Sequence, residues 1–305
     1  AWARLFWHLQ QCGCEVTARS ITIAAQMLVD RQLPAEITAL FGGDSKHNAA
    51  ALSADELELV VQLAERQLDH PDMPRDVALE WPDFLMADAV AALGESAEAE
   101  LLALQGEAAT DVRINPVKLG DRRVLREKFA GRGLKCHLNT LSPIGIRLEK
   151  RTRTEDLPEW KKGLFEYQDE GSQIVALLCD ARPGMQVVDM CAGAGGKALV
   201  MAAQMQNRGR VLALDSDAER LERGGERMRR AGIHNIERKH VGDSWGTKRW
   251  RGKFERVVID APCSGSGTWR RQVDARWRCS SDDLARYTSL QAQLLDKGRA
   301  MVVPG

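Results

Sequence analysis

The sequence predicts an α/β protein built on a doubly wound parallel sheet, preceded by a small α+β module and an all-helical N-terminal region. Three observations predict it. Strand and helix patterns alternate from about residue 164 onward, which means parallel strands with helices on both faces. A glycine-rich run, Asp189-Met190-Cys191-Ala192-Gly193-Ala194-Gly195-Gly196-Lys197, stands between a strand pattern and a helix pattern. Residues 1 to about 105 carry helical periodicity alone.

Residues 1–106 form the helical region. Leu57, Val60, Val61, Ala64 and Leu68 fall at helical spacing, and Ser53 with Glu56 fits a capping box. Gly94 and Gly106 read as helix stops and Ser96 as a start. His8, His47 and His70 are isolated, and a metal site needs partners, so they read as ordinary polar positions.

Residues 107–163 form the small module. Asp111–Asn115 alternates and reads as a strand, and Asp121–Phe129 reads as a helix stopped near Gly131 and Gly133. Short strands follow at Cys136–Leu138 and Ile144–Leu148. Twelve Lys and Arg residues lie between Arg113 and Arg153. A solvated face is the plain reading of such a run; clustered cations also suit phosphate contact, and RNA contact is expected here.

Residues 164–305 form the sheet domain. Its strands are predicted at Gln186–Asp189, Val211–Asp215, Ile236–Val241 and Arg256–Asp260. Its helices are predicted at Ser172–Cys179, Gly196–Gln206, Ala218–Arg230 and Asp282–Met301. Ligands of such sheets bind past the carboxyl ends of the strands, where the glycine-rich run lies.

Composition sets outer bounds. Lys plus Arg and Asp plus Glu both number 43, so no global basic field marks a nucleic-acid binder, and any such affinity is local. Seven cysteines without paired spacing make no disulfide framework and fit a reducing cytoplasm. Cys12-Gly13-Cys14 is too tight for a zinc knuckle and no second pair follows, so no metal is expected. No apolar run approaches the ~20 residues of a membrane span, and no signal-peptide pattern is present. The chain starts at Ala1 inside a helical pattern and stops at Val303-Pro304-Gly305, so a longer chain is expected at both ends.

Gly193-Ala194-Gly195-Gly196-Lys197-Ala198 satisfies a G-x-G-x-x-G/A pattern. The glycines allow a tight turn, and the amides of the following helix start face an anionic group. Asp215, about 20 residues on, suits ribose hydroxyls. A nicotinamide site fits these facts alone. Asp189 argues otherwise, because a carboxylate there opposes a pyrophosphate and suits a cationic amino group. Asp243, in Gly242-Asp243-Ser244, is placed to meet an adenine ring, or it is simply a turn residue. Lys197 opposes the helix dipole in the first turn, so a ligand or carboxylate partner is expected.

The run Asp260-Ala261-Pro262-Cys263-Ser264-Gly265-Ser266-Gly267-Thr268 puts a cysteine just past an apolar strand ending in Asp. Cysteine is often a small core residue. Here Pro262 before it and Ser-Gly-Ser-Gly after it place Cys263 on an exposed loop, and Arg270 and Arg271 follow closely enough to favour a thiolate.

Together these runs resemble the Sun-type (RsmB-type) RNA cytosine carbon-5 methyltransferases. The resemblance covers about Asp111 to Gly305 and includes Phe165–Gln173 (FEYQDEGSQ), Gly267-Thr268-Trp269-Arg270-Arg271 and Arg276-Trp277-Arg278. It implies a Rossmann-like S-adenosylmethionine-dependent methyltransferase sheet. It implies that Asp189, Cys191, Ala192, Gly193, Gly195, Gly196, Lys197, Asp215, Asp243 and Asp260 line the S-adenosyl-L-methionine site. Asp260 and Cys263 are the implied catalytic residues, with Arg270, Arg271 and Arg276 on RNA. Carbon 5 of cytosine is a poor nucleophile; the family adds a cysteine to carbon 6 of a base taken from its stack. By the resemblance Cys263 assists product release, while the attacking cysteine belongs to a Thr-Cys motif on the next strand, expected just after Gly305. No Thr-Cys pair occurs in this chain, Ala198 replaces the usual Thr, and Gln272-Val273 replaces an Asn-Pro. The resemblance implies a monomeric, cytoplasmic enzyme acting on ribosomal RNA, most directly 16S. Transfer RNA as substrate, Cys263 as nucleophile, and a non-catalytic RNA-binding or ribosome-assembly protein that keeps the cofactor fold are the competing readings.

Overall fold

The computed structural model describes residues 1–43, 49–150, 152–242 and 245–304. They divide into two compact units, a helical one of Ala1–Glu107 with Gly265–Ser281 and a sheet unit of Ala108–Ser264 with Asp282–Gly305. His47, Arg151 and Asp243 lie outside the described residues.

The helical unit begins with α1 (Trp2–Gln11), α2 (Ala18–Leu28), α3 (Pro34–Leu40) and α4 (Ala54–Ala64). The short α5 (Arg75–Ala78), α6 (Met86–Leu93) and α7 (Ala97–Ala103) follow. Ser53 caps α4 as predicted, accepting from the Glu56 amide while Glu56 reaches back to the Ser53 amide. The apolar stripe predicted for α4 needs correction. Leu59, Val60 and Leu63 are its buried face, whereas Leu57 is 45% and Val61 71% exposed. Leu5, Leu9, Ile23, Leu28 and Ile37 complete that core.

In the sheet unit, β1 (Thr110–Ile114) leads into α8 (Arg122–Ala130), capped by Asp121. Strands β2 (Cys136–Leu138) and β3 (Gly145–Leu148), the turn α9 (Pro158–Lys161) and β4 (Phe165–Tyr167) complete an antiparallel sheet of order β2-β3-β1-β4. Its two faces differ sharply. Val112, Ile114, Ile146, Leu148 and Phe165 pack on Leu125 and Phe129 of α8. Arg113 and Glu166 are paired across β1 and β4, both buried, on the other face.

The chain continues through α10 (Glu170–Leu178), β5 (Gln186–Asp189), α11 (Gly196–Gln204), β6 (Arg210–Asp215), α12 (Ala218–Ala231), β7 (Ile236–His240) and β8 (Arg256–Val258). The segment 265–281 then joins the helical unit and carries α13 (Ala275–Arg278), before α14 (Ser281–Met301) ends the sheet unit. All pairings in the order β7-β6-β5-β8 are parallel. Period-2 alternation explains the double winding. Val187, Val211 and Ala213 face α11 and α12, while Val188, Leu212 and Leu214 face α14 through Leu294 and Met301. After α14, Val302 bridges Phe254 in parallel, so the chain re-enters the sheet beside β8.

The small antiparallel sheet is part of the same unit as the parallel one. Asn115 Nδ2 donates to the carbonyls of Ala231 (2.7 Å) and Gly163 (3.0 Å). Lys118 Nζ donates to the carbonyl of Arg230 at 2.6 Å, closing the C-terminus of α12 with a cation, where the helix dipole favours one. At Gly163 (φ 67°) a Cβ would lie 2.0 Å from the Arg230 carbonyl oxygen, so only glycine fits there.

Candidate functional site

Three carboxylates gather at the carboxyl edge of the parallel sheet. Asp189 ends β5, Asp215 ends β6, and Asp260 follows β8 by two residues. Strand pairing sets Asp189 beside Ala213 and Val258.

The loop 190–195 is tied down from within. The Ala192 amide donates to Leu214 O and the Gly195 amide to Ala192 O, both at 2.8 Å. Gly193 (φ 53°) and Gly195 (φ 78°, the N-cap of α11) hold left-handed backbone, which glycine adopts without steric cost. A Cβ at Gly193 would lie 2.8 Å from Arg220 Nη2, and one at Gly195 3.1 Å from Met228 Cε.

Asp215 does more than the sequence reading assigned it. Its Oδ2 accepts from the Gly193 amide at 2.6 Å and its Oδ1 from the Asp217 amide at 2.8 Å. Each oxygen keeps a further lone pair, so the carboxylate orients the loop and can still accept from hydroxyls.

Asp189 is 1% exposed and neither carboxylate oxygen has a hydrogen-bond partner among the described residues. Burial pushes its carboxyl up to about 7; Lys197 opposes that rise, and Asp260 and Asp215 add to it. The Cys191 amide favours the charged form slightly, without meeting hydrogen-bond geometry. Burial, helped by Asp189, pushes the Cys191 thiol up to about 12. Cys191 is therefore a neutral wall of the loop, unsuited to attack as a thiolate.

Lys197 finds a carboxylate partner in Asp260: Nζ lies 2.5 Å from Oδ2 and 3.3 Å from Ser172 Oγ. Lys197 is largely buried and Asp260 is more than half exposed, so the pair presents its acidic end outward. Cys263 is exposed, and Gln291 Nε2 on α14 holds the preceding Pro262 carbonyl at 2.9 Å.

The three arginines assigned to RNA lie in the helical unit. Arg270 donates to the carbonyls of Gly106 (3.2 Å) and Glu107 (2.7 Å). Arg276 is 4% exposed and donates to the Glu80 carbonyl at 2.5 Å. Both guanidiniums are thus spent on packing the 265–281 segment; Arg271 is exposed. The basic module is thinned in the same way. Arg113 is buried, Arg122 donates to the carbonyls of Asn139 and Gly145, and Arg147 grips Asp111 at 2.7 and 2.8 Å. Lys128, Lys135 and Lys150 remain exposed. Sequence reading missed Arg113, Gln168 and Arg227 behind the loop; the FEYQDEGSQ run contained Gln168, and nothing local signalled the other two.

Among the described residues, no group of three or more His, Cys, Asp or Glu side chains gathers to hold a metal ion. No helix there is long and apolar enough to cross a membrane.

A parallel sheet with a glycine-rich loop after its first strand and acidic residues at two successive strand ends defines a Rossmann-like α/β protein. Residues 176–305 match the family model described as 16S rRNA methyltransferase RsmB/F. The chain is 33% identical over 264 residues to a ribosomal RNA small subunit methyltransferase B of Xylella fastidiosa, covering 85% of this chain and 59% of that protein. The corresponding protein of Xanthomonas campestris is 31% identical over 230 residues, covering 74% and 52%. A crystal structure of a methyltransferase homologue from Pyrococcus horikoshii superposes with a TM-score of 0.65 at 27% identity, covering 76% of this chain and 73% of that one. In these comparisons the chain is similar to the RsmB-type methyltransferases. It spans about half the length of the curated relatives it matches.

Proposed function

We propose that this chain serves S-adenosylmethionine-dependent methylation of carbon 5 of cytosine in RNA, with 16S ribosomal RNA as substrate. The single observation that carries the cofactor reading is Asp189. A fully buried carboxylate without a partner is costly, and a cationic ammonium beside it removes that cost. The cofactor's amino group is such a cation, and Gly193 and Gly195 hold the left-handed turn that brings the start of α11 to the same sheet edge. Asp189 and the start of α11 would hold the amino-acid end, and Asp215 the ribose. Asp243 is proposed for the adenine. When bound, S-adenosylmethionine supplies an electrophilic methyl group.

The remaining residues act on the base. Asp260, held by Lys197, offers a carboxyl oxygen at the exposed edge of the site, suited to a proton on the cytosine ring nitrogen or exocyclic amine. Cys263, exposed on the next turn of the loop, assists departure of the methylated base. The attacking thiol is the family's Thr-Cys cysteine; Cys263 takes that role in the second reading, which its exposure favours.

The test is titration calorimetry with S-adenosylhomocysteine, paired with transfer of labelled methyl from S-adenosylmethionine to unmodified 16S RNA. The wild type binds saturably, and Asp215→Ala weakens binding roughly 10- to 100-fold, the worth of one or two charge-assisted hydrogen bonds. Absence of binding by the wild type overturns the cofactor reading. Incorporation into cytosine by this chain, abolished in Cys263→Ala, makes Cys263 the attacker.

A further inference from the structure

The cofactor loop is gripped from behind as well as from within. Two guanidiniums reach its carbonyls. Arg227 Nη1, on α12, donates to the Ala194 carbonyl at 3.0 Å. Arg113 Nη2, on β1, donates to the Gly196 carbonyl at 3.4 Å. These two carbonyls bracket Gly195, the left-handed residue on which the loop turns into α11.

Neither cation is free to wander. Arg227 Nε donates to Glu166 Oε2 at 3.0 Å, and Arg230 holds the other Glu166 oxygen. Arg113 Nε donates to Gln168 Oε1 at 2.5 Å. Arg113 and Glu166 are cross-strand partners, and Gln168 lies two residues past Glu166 on the same side. The small sheet thus carries two fully buried charged side chains, Arg113 and Glu166, on the face that meets the loop and α12. Burying ions is expensive, and apolar residues of similar volume usually serve stability as well or better. What the charges provide here is direction.

A peptide group is planar, so fixing a carbonyl fixes the amide across its C–N bond. The Ala194 contact fixes the Gly195 amide, already bonded inside the loop. The Gly196 contact fixes the Lys197 amide, one of the first-turn donors that an α-helix leaves without an intrahelical partner. Those donors are what an anionic group at the helix start would meet.

We propose that Arg227 and Arg113, seated by Glu166 and Gln168, are positioning residues: Arg113 aims the Lys197 amide at the carboxylate of the cofactor's amino-acid end, and Arg227 holds the Gly195 turn that sets the direction of this helix start. This rests on the S-adenosylmethionine reading above. The small antiparallel sheet is then the back-plate of the cofactor site.

The test compares two ligands by calorimetry on the chain as it stands. S-adenosylhomocysteine carries the amino-acid end; 5′-methylthioadenosine lacks it. Arg227→Met weakens S-adenosylhomocysteine about tenfold, the worth of one misdirected charge-assisted hydrogen bond, and leaves 5′-methylthioadenosine within about twofold. Arg227→Lys restores most of the loss. Gln168→Met, which unseats Arg113 without touching Arg227, shows the same selectivity and serves if Arg227→Met does not fold. Equal losses for both ligands, or none, overturn the proposal. A wild type that binds neither ligand overturns the cofactor reading itself.

Discussion

Asp189 concentrates the chemistry of this site in one side chain. Its carboxyl is pushed up to about 7 by burial, against 3.8 for an unhindered group. The sign follows from linkage. Below about pH 4 both folded and unfolded chains hold the proton and Asp189 costs nothing. Between about pH 4 and 7 the unfolded chain ionises while the folded one does not, so native stability falls; above about 7 the cost is constant. Asp189→Asn should therefore melt with the wild type near pH 4 and higher than it above pH 7, by at most ~4 kcal/mol. Ligand-free thermal melts across that range check it. A difference that does not change with pH would mean that the carboxylate is not the source of the cost. The same variant should lose affinity for S-adenosylhomocysteine, because the buried anion that attracts the amino group is gone. At this scale the sequence placed Asp189, Asp215 and Asp260 at strand ends, and the structure brings them to one sheet edge. The sequence did not show that Asp215 also holds the Gly193 amide, since that bond spans 22 residues.

Element geometry decides which face of a helix is core, and α4 shows how closely two faces can compete. The predicted row is Leu57, Val60, Val61, Ala64 and Leu68; Leu59, Val60 and Leu63 make another that shares Val60. Periodicity alone does not choose between them. Packing against α2 and α3 buries the second row and leaves Val61 71% exposed. Leu59→Ala should cost about 2–5 kcal/mol by opening a cavity. Val61→Lys should stay within about 0.5 kcal/mol of the wild type. Urea denaturation of the two variants checks both, and a large loss for Val61→Lys would contradict the assigned face. The sheet elements were more legible. Predicted strand Gln186–Asp189 and helix start Gly196 coincide with β5 and α11, because a glycine-rich turn between a valine-bearing strand and a run of good helix formers admits few alternatives.

Across the whole molecule, the chain leaves the sheet unit after Ser264 and returns at Asp282, having contributed residues 265–281 to the helical unit. There Trp269 packs on Trp81 with ring centroids 5.0 Å apart, and Arg276 holds the Glu80 carbonyl. Glu80 in turn accepts from the amides of Ala3 and Arg4. Arg276→Ala should destabilise the helical unit by about 2 kcal/mol, the worth of a buried charge-assisted hydrogen bond. S-adenosylhomocysteine affinity should not change, because its proposed contacts lie in the sheet unit. Calorimetric melting with a parallel ligand titration checks this; a fall in affinity would show that the segment supports the cofactor site.

The sequence by itself determined the α/β class, the helical leader, the glycine-rich loop and the acidic strand ends. These are written in local patterns, namely period 2, period 3.6 and glycine at turns. Tertiary structure decided which of the many arginines are surface and which are struts. Arg113 and Arg227 back the glycine-rich loop, and Arg276 is buried against Glu80, through contacts 83, 33 and 196 residues apart in the chain. A guanidinium reads the same in sequence whether it meets solvent or a buried carbonyl. Its role is set by which acceptors the fold brings within about 3 Å of it, and no local pattern carries that distance.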